Sequence, residues 1–176
     1  SILFSKNAKK NCVSIRNIII DKKNNKITSK NFILLSMGGS DPKNFTKKIL
    51  KKLIINNNLN IKVILGNLNN NYKTLKKIKT KKIKIIKNPK NFHQLQSSCK
   101  FAITNGGMTM CEMISLNKKV FAVPKNEKER KFCKLIKNNY NLRYGAIEKI
   151  ELKDYKYKRK LSVGSKIFLN QLKLIA

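Results

Sequence analysis

The 176-residue sequence predicts an α/β domain with a Rossmann-like, mainly parallel sheet covered by helices on both faces. Short apolar runs alternate along the chain with segments whose apolar residues recur at helical spacing. Glycine closes three of the runs, at Gly38-Gly39, Gly66 and Gly106-Gly107, as expected at the ends of buried strands. Because a connection that contains a helix crosses over the sheet, successive strands are expected to be parallel.

The first regular elements lie on either side of the first glycine pair. Residues 32–37 form an apolar run that predicts a strand, and Gly38-Gly39 predicts a tight turn after it. Asp41 and Pro42 then predict the N-cap and the first position of a helix. The apolar residues of that helix recur at helical spacing: Phe45, Ile49, Leu50, Leu53 and Ile54.

The alternation of strands and helices continues along the chain. Strands are predicted at residues 61–65, 83–86, 101–104 and 120–123, with a weak strand at 142–144. Helices are predicted at residues 72–78, 91–98, 108–116 and 127–137, with a closing helix at 161–175. As domains, residues 1–31 are expected to be an irregular lead-in, 32–145 the Rossmann-like domain, and 146–176 a C-terminal helical segment of the same domain.

The charge of the chain is strongly positive. Lys and Arg number 41 against 8 Asp and Glu, giving a formal net charge of +33, which suits a nucleic-acid partner. However, 37 of the cations are Lys, and Lys, Asn and Ile together supply 84 residues. These three amino acids share A- and T-rich codons, so a biased genome raises all of them together. Whether the charge has a specific partner stays open, and no specific nucleic acid is expected.

Cysteine and histidine are too few and too dispersed to predict a metal site. Cys12, Cys99, Cys111 and Cys133 have no CxxC spacing, and His93 is the only histidine. Reduced thiols in a cytoplasmic protein are expected, with Cys111 as a small core residue. No apolar stretch approaches the roughly 18 residues that span a bilayer. The sequence therefore predicts no metal, no cofactor and no transmembrane segment.

The segment MGGSDPKN joins the first predicted strand to its helix. Gly38 and Gly39 let the backbone approach a ligand closely, and the N–H groups at a helix N-terminus favour an anion such as phosphate. The alternative is a structural turn capped by Asp41, whose charge would stand beside the proposed anion. The segment predicts either a phosphate loop or such a turn.

The segment TNGGMTMCE repeats this pattern after the strand at 101–104. Thr109 and Glu112 have the spacing of a capping box, in which Glu112 bonds back to the backbone of the cap. Alternatively, a carboxylate in the first helical turn accepts hydrogen bonds from a pair of sugar hydroxyls. Ligands of parallel sheets bind at the carboxyl ends of the strands. Two such loops together therefore suggest a diphosphate that links two sugars.

Taken in order, the segments ILLSMGGSDPKNFT, VILG, IKIIKNPKNFHQL and FAITNGGMTMCEMISLNKKVFAVPKNE resemble the C-terminal half of a GT-B fold protein. The resemblance is greatest to the UDP-sugar hydrolase of pseudaminic acid biosynthesis and its relatives in spore-coat polysaccharide synthesis. The chain resembles the N-acetylglucosaminyltransferase that makes lipid II more distantly. The resemblance covers roughly residues 32–145 and implies a domain that binds a UDP-sugar of the UDP-N-acetylhexosamine type.

The resemblance also implies which residues hold the diphosphate. By position in the motifs, Gly39 and Ser40 would lie beside it. Gly107, Met108 and Thr109 would offer it backbone or hydroxyl contacts.

The same resemblance implies contacts to the rest of the UDP-sugar. Glu112 would take the ribose hydroxyls, and the backbone around Ile86 would face the uracil. Asn126 and Glu127 would approach the sugar. Relatives usually carry Asn-Gln at this last pair of positions, and a carboxylate near a diphosphate is electrostatically unfavourable.

The catalytic histidine of the hydrolase lies, by the same resemblance, in an N-terminal domain that is not among these 176 residues. No catalytic residue is therefore predicted, and the isolated domain is expected to bind without turnover. His93 is expected at the surface or at a helix cap. The alternative function, from a different class, is a basic nucleic-acid-binding or scaffold domain without enzymatic activity.

Overall fold

The structure, a computed structural model, describes residues 30–55, 59–78, 80–140 and 142–152, without the side chains of residues 138–140. The predicted lead-in, apart from its last two residues, and the predicted closing helix lie outside these ranges. The strands and helices alternate in the order β1 (Ile33–Ser36), α1 (Phe45–Ile54), β2 (Ile61–Leu65), α2 (Tyr72–Lys76), β3 (Ile83–Lys87), α3 (Phe92–Ser98), β4 (Phe101–Thr104), α4 (Met108–Ser115), β5 (Lys119–Ala122), α5 (Glu127–Tyr140), β6 (Arg143–Tyr144) and a 3-10 helix (Ile147–Lys149).

The strands form one sheet in the order β3-β2-β1-β4-β5-β6. Every pairing in it is parallel, and Ile33 of β1 lies opposite Ile61 of β2 on one side and Phe101 of β4 on the other. This is the strand order of the doubly wound dinucleotide-binding fold. The predicted Rossmann-like parallel sheet is confirmed.

Two apolar cores lie on opposite faces of the sheet, because successive side chains of a strand point to opposite sides. Leu34 belongs to the core with Met110 and Met113 of α4, which α3 and α5 also cover. Leu35 belongs to the core with Ile49 and Leu50 of α1, which α2 and the 3-10 helix also cover. Each of these six side chains is fully buried, which contributes about 1.5–3 kcal/mol apiece. The predicted helices on both faces are confirmed.

The start of α1 differs from the prediction. The helix begins at Phe45, and its N-cap is Asn44, which has a left-handed backbone with φ of 55°. Asp41 accepts hydrogen bonds from the N–H groups of Phe45 (2.9 Å) and Thr46 (2.7 Å), so it caps the helix from outside it. The prediction of Asp41 as N-cap and Pro42 as first helical residue is wrong, because a turn closed by Asn44 N and Asp41 O comes first.

Other boundaries shift by a few residues. β5 begins at Lys119 instead of residue 120, and Val123 lies just beyond it but stays buried. α5 continues to Tyr140, three residues past its predicted end. The weak strand predicted at 142–144 is present as the two-residue β6. Among the described residues, no helix is both long enough and apolar enough to cross a membrane.

The loop after β1 packs tightly against the end of β2. A Cβ built on Gly66 would overlap the Cα of Gly39 and lie 2.5 Å from its carbonyl oxygen. Both of these atoms belong to the backbone, so neither can rotate away. In contrast, a Cβ built on Gly39 would have nothing within 4 Å. The first glycine loop is therefore packed against Gly66 on one side, whereas the space next to the Gly39 Cα on the other side is open.

Replacing Gly66 by Ala should destabilise the fold, since the added methyl group forces the backbone at Gly39 to move. We expect Gly66→Ala to lower the free energy of unfolding by about 1–3 kcal/mol, as overpacking generally does. The matched control is Gly39→Ala, which should change it by less than about 1 kcal/mol. Urea unfolding followed by circular dichroism measures both, and equal midpoints for the two variants would contradict the packing described.

Candidate functional site

The two glycine loops lie side by side at the carboxyl edge of the sheet. They follow β1 and β4, which are hydrogen-bonded neighbours and therefore lie about 4.8 Å apart. The loops also lie close together, because a Cβ on Gly38 would lie 3.5 Å from the Asn105 side-chain oxygen. Gly38 has a φ of 87°, in the left-handed region that favours glycine. The structure thus brings together the two segments that the sequence singled out.

The loop after β4 does not form the predicted capping box. Gly107 is the N-cap of α4, so Thr109 is the second helical residue and not the cap. The Glu112 carboxylate instead accepts a hydrogen bond from the Gln96 side chain of α3, at 2.6 Å. The capping-box interpretation of Thr109 and Glu112 is wrong, because glycine in an extended backbone starts the helix two residues earlier. Glu112 is left on the side of α4 that faces α3.

A cavity of about 240 Å³ lies between α3 and α4. Its lining includes Thr109 and Glu112 of α4, with Gln96, His93 and Phe92 of α3. His93 is half-buried in this wall instead of at the open surface, and its Nε2 atom has no hydrogen-bond partner among the described residues. Sites for complete small ligands occupy roughly 300–1,000 Å³. The cavity therefore fits one part of a larger ligand, with a carboxylate available to accept hydrogen bonds from hydroxyl groups.

Glu129, which the sequence did not single out, organises the second glycine loop. Its carboxylate accepts hydrogen bonds from the Asn105 side chain (2.8 Å), the Gly106 N–H (3.2 Å) and the Lys125 N–H (2.8 Å). Its own N–H donates to the side chain of Asn126 (2.9 Å), which thereby caps α5. The spacing N-x-x-E at Asn126 and Glu129 is a capping-box signal that could have located this carboxylate in the sequence.

Lys125 connects the Glu129 carboxylate to the first glycine loop. Its ammonium group donates to the carbonyl oxygen of Met37 (3.2 Å) and lies 3.9 Å from Glu129 Oε1. Both side chains are largely buried, with 20% of Lys125 and 16% of Glu129 exposed. The ends of β1, β4 and β5 are thus tied together by one ion pair.

The remaining predicted residues lie around these features. Ile86, near the end of β3, is half-buried and packs on the same core as Phe92. Ser40 and Met108 are exposed. Asn126 and Glu127 are exposed in the lining of a second cavity, of about 350 Å³.

The Glu127 carboxylate lies 3.5 Å from Arg130 of the same helix. The second cavity, which contains Asn126 and Glu127, is also lined by Pro124, Lys125 and Phe45. The sugar contacts predicted at Asn126 and Glu127 therefore fall in a cavity separate from that of Glu112.

The cysteines of the described residues are buried and provide no accessible nucleophile. Burial raises the pKa of Cys99, Cys111 and Cys133 to about 12 in each case. The prediction of Cys111 as a core residue is confirmed. In the ranges that the structure describes, no group of three or more His, Cys, Asp or Glu side chains could hold a metal ion.

These features define an α/β domain of the doubly wound class whose candidate ligand site lies where the strand order reverses, between β1 and β4. No family model matches the chain. It is similar to the uncharacterized protein MJ1062 of Methanocaldococcus jannaschii, with 38% identity over 124 residues, which is 66% of this chain and 25% of MJ1062. The aligned part thus spans about a quarter of that relative.

A solved structure gives a weaker likeness. The crystal structure of the glycosyltransferase SnogD from Streptomyces nogalater matches with a TM-score of 0.49 and 8% identity. The match covers 81% of this chain and 40% of the SnogD chain. A likeness of this size carries no information on function.

Removing the Glu129 carboxylate should destabilise the fold. Glu129→Ala leaves the N–H groups of Gly106 and Lys125 and the amide of Asn105 without their acceptor, so we expect a loss of about 1–3 kcal/mol in unfolding free energy. The matched control, Glu127→Ala, removes a carboxylate that is 67% exposed on the same helix and should cost less than about 0.5 kcal/mol. Equal stability of the two variants to heat and to urea would show that the Glu129 carboxylate does not stabilise the second glycine loop.

The buried thiols should resist alkylation while the protein is folded. Only a thiolate reacts readily, and a pKa of about 12 keeps Cys99, Cys111 and Cys133 protonated at mildly alkaline pH. We expect iodoacetamide to label these three residues in guanidinium chloride but not in buffer, as measured by peptide mass spectrometry. Fast labelling of any one of them in buffer would show that its surroundings open.

Proposed function

We propose that this chain is the nucleotide-sugar-binding domain of a GT-B-type hydrolase or glycosyltransferase, and that it holds the UDP part of a UDP-N-acetylhexosamine-type sugar. The observation that supports this best is the position of Glu112. Its carboxylate lines the cavity between α3 and α4, about one helical turn after the start of α4 at the Gly107 loop. The proposed pathway is the synthesis of a surface polysaccharide or a nonulosonic acid, in the cytoplasm.

The diphosphate would lie across the two glycine loops. Gly39 and Ser40 border open space above the first loop, and Gly107, Met108 and Thr109 start α4. N–H groups at a helix N-terminus have no partner within the helix, and the helix dipole favours a negative charge there. The charge of Asp41 is offset in part by the two N–H groups at the start of α1 that donate to its carboxylate.

The nucleoside would enter the cavity between α3 and α4. The ribose hydroxyls would donate to Glu112, whose carboxylate is oriented by the 2.6 Å hydrogen bond from Gln96. A carboxylate has about four acceptor positions, so it can bond Gln96 and two hydroxyls together. The uracil would lie towards the backbone of Ile86, which packs on the same core as Phe92 of the cavity wall.

The sugar would lie in the second cavity, beside Asn126 and Glu127. The thiols of the described residues are buried, and His93 lies in the nucleoside cavity, away from the proposed position of the sugar. The catalytic group is therefore proposed to come from an N-terminal domain that closes over this edge. Residues 32–145 form the proposed binding unit, and by itself this unit binds without turnover.

Binding of UDP tests the proposal directly. At about 100 times its dissociation constant, UDP should raise the free energy of unfolding by about 2.7 kcal/mol. Glu112→Ala should weaken UDP binding about 10- to 100-fold, since the ribose loses hydrogen bonds to a charged group. Titration calorimetry and thermal unfolding measure both effects. The matched control is Glu151→Ala, which removes an exposed carboxylate paired with Arg143 and should leave UDP binding unchanged.

Two outcomes would overturn the proposal. One is an affinity for UDP no greater than that for AMP or GMP. The other is micromolar binding of DNA or RNA that falls steeply with salt and is unaffected by Glu112→Ala, which would favour a basic nucleic-acid-binding domain. Weak binding of nucleic acid that disappears at physiological salt fits a positive charge of compositional origin.

A further inference from the structure

Lys125 is the cation placed between the two glycine loops. Its ammonium group donates to Met37 O at 3.2 Å and would lie 3.6 Å from a Cβ on Gly38. On its other side, the ion pair with Glu129 connects it to the Asn105–Gly106 segment. Lys125 also lines the cavity that contains Asn126 and Glu127. One side chain therefore reaches both loops and the cavity beside them.

The carboxylate of Glu129 decides which donors remain for an anion. It already accepts from the Asn105 side chain and from the N–H groups of Gly106 and Lys125. A diphosphate cannot use these donors without displacing the carboxylate of a side chain that is only 16% exposed and is fixed by three hydrogen bonds. Among the described residues, the Lys125 ammonium remains as a charged donor at this edge, beside the N–H and hydroxyl groups of the Gly39-Ser40 and Gly107–Thr109 segments.

The Lys125 ammonium has capacity for such a ligand. It carries three N–H donors, of which one bonds Met37 O and one faces Glu129 at ion-pair distance. Its contacts on two sides hold the side chain in one position, so little conformational entropy is lost when a ligand binds. Partial burial also lowers screening by salt, so this charge acts more strongly on a neighbouring anion than an exposed lysine does.

We propose that Lys125 binds the diphosphate and determines the preference of this site for UDP over uridine, with Glu129 as the residue that positions it. The inference rests on the proposed function, and it adds a residue that the sequence motifs did not indicate. Lys125 contributes to binding through its charge and its fixed position, and not to the recognition of uracil or ribose.

The experiment compares ligands that differ in phosphate content. UDP, UMP and uridine are titrated calorimetrically against the full 176-residue chain and against Lys125→Met. We expect Lys125→Met to weaken UDP binding about 10- to 100-fold and uridine binding less than about twofold, because a hydrogen bond to a charged group is lost only with the phosphates. Lys125→Arg keeps the charge and should restore most of the UDP affinity.

The matched control is Lys128→Met, which removes the same charge from an exposed position three residues along the chain. It should change UDP binding less than about twofold, so it separates the position of Lys125 from the overall charge of the protein. Thermal unfolding without ligand shows whether each variant is folded. If Lys125→Met does not fold, Lys125→Gln and Lys125→Arg are compared instead. The ratio of UDP to uridine affinity should fall in Lys125→Gln and be kept in Lys125→Arg, and an equal ratio in both would overturn the role of Lys125.

The outcomes distinguish this inference from the function on which it rests. In one outcome, the unmodified chain prefers UDP, and UDP binding is weakened by Glu112→Ala but not by Lys125→Met. The role of Lys125 is then overturned and the proposed function stands. Equal weakening of UDP and uridine by Lys125→Met also overturns it, since that result indicates a structural role. If the unmodified chain shows no preference for UDP, the proposed function itself fails.

Discussion

β1 and β4 pair in parallel at the centre of the sheet, with Ile33 opposite Phe101, and the chain leaves these two strands in opposite directions. α1 crosses towards β2 on one face, whereas α4 crosses towards β5 on the other. The loops after β1 and β4 therefore diverge above the sheet, and the crevice between them is not covered by either helix. The two glycine loops and the Lys125–Glu129 pair that connects them lie at this crevice because of that one pairing.

The backbone donors at this edge need acceptors, and two carboxylates supply them. Asp41 accepts from two N–H groups at the start of α1, and Glu129 accepts from two N–H groups and an amide around the second loop. An unsatisfied buried N–H costs about 1–3 kcal/mol, so each carboxylate fixes its loop strongly. The chain has only 8 acidic residues against 41 basic ones. Two of these few carboxylates stabilise the loops that border the proposed ligand, and Glu112 faces the cavity beside them.

The fold was predictable from the sequence because its strands are short apolar runs, and residues 61–65 and 101–104 match β2 and β4. The details that failed depend on backbone conformation at single residues. Asn44 has a left-handed backbone, and α1 begins only after it, at Phe45. Gly107 has an extended backbone and is the N-cap of α4, so Thr109 lies inside that helix and is not its cap. The role of Glu129 depends on a contact with Asn105, 24 residues away, which only the packing of α5 on the loop creates. Local spacing indicates the cap at Asn126 but not this distant partner.

The placement of lysines carries more information than their number. Lys84 and Lys87 are exposed on β3, which lies at the edge of the sheet, where charged side chains oppose pairing with another chain. These lysines have a use that requires no ligand. Lys125 is different, because its side chain is only 20% exposed and its ammonium is held between a carbonyl oxygen and a carboxylate at the switch point. A side chain held in this way has less conformational freedom to lose when an anion binds than an exposed lysine has. This fixed position between the two glycine loops, and not the number of lysines, distinguishes Lys125 on a surface rich in lysine.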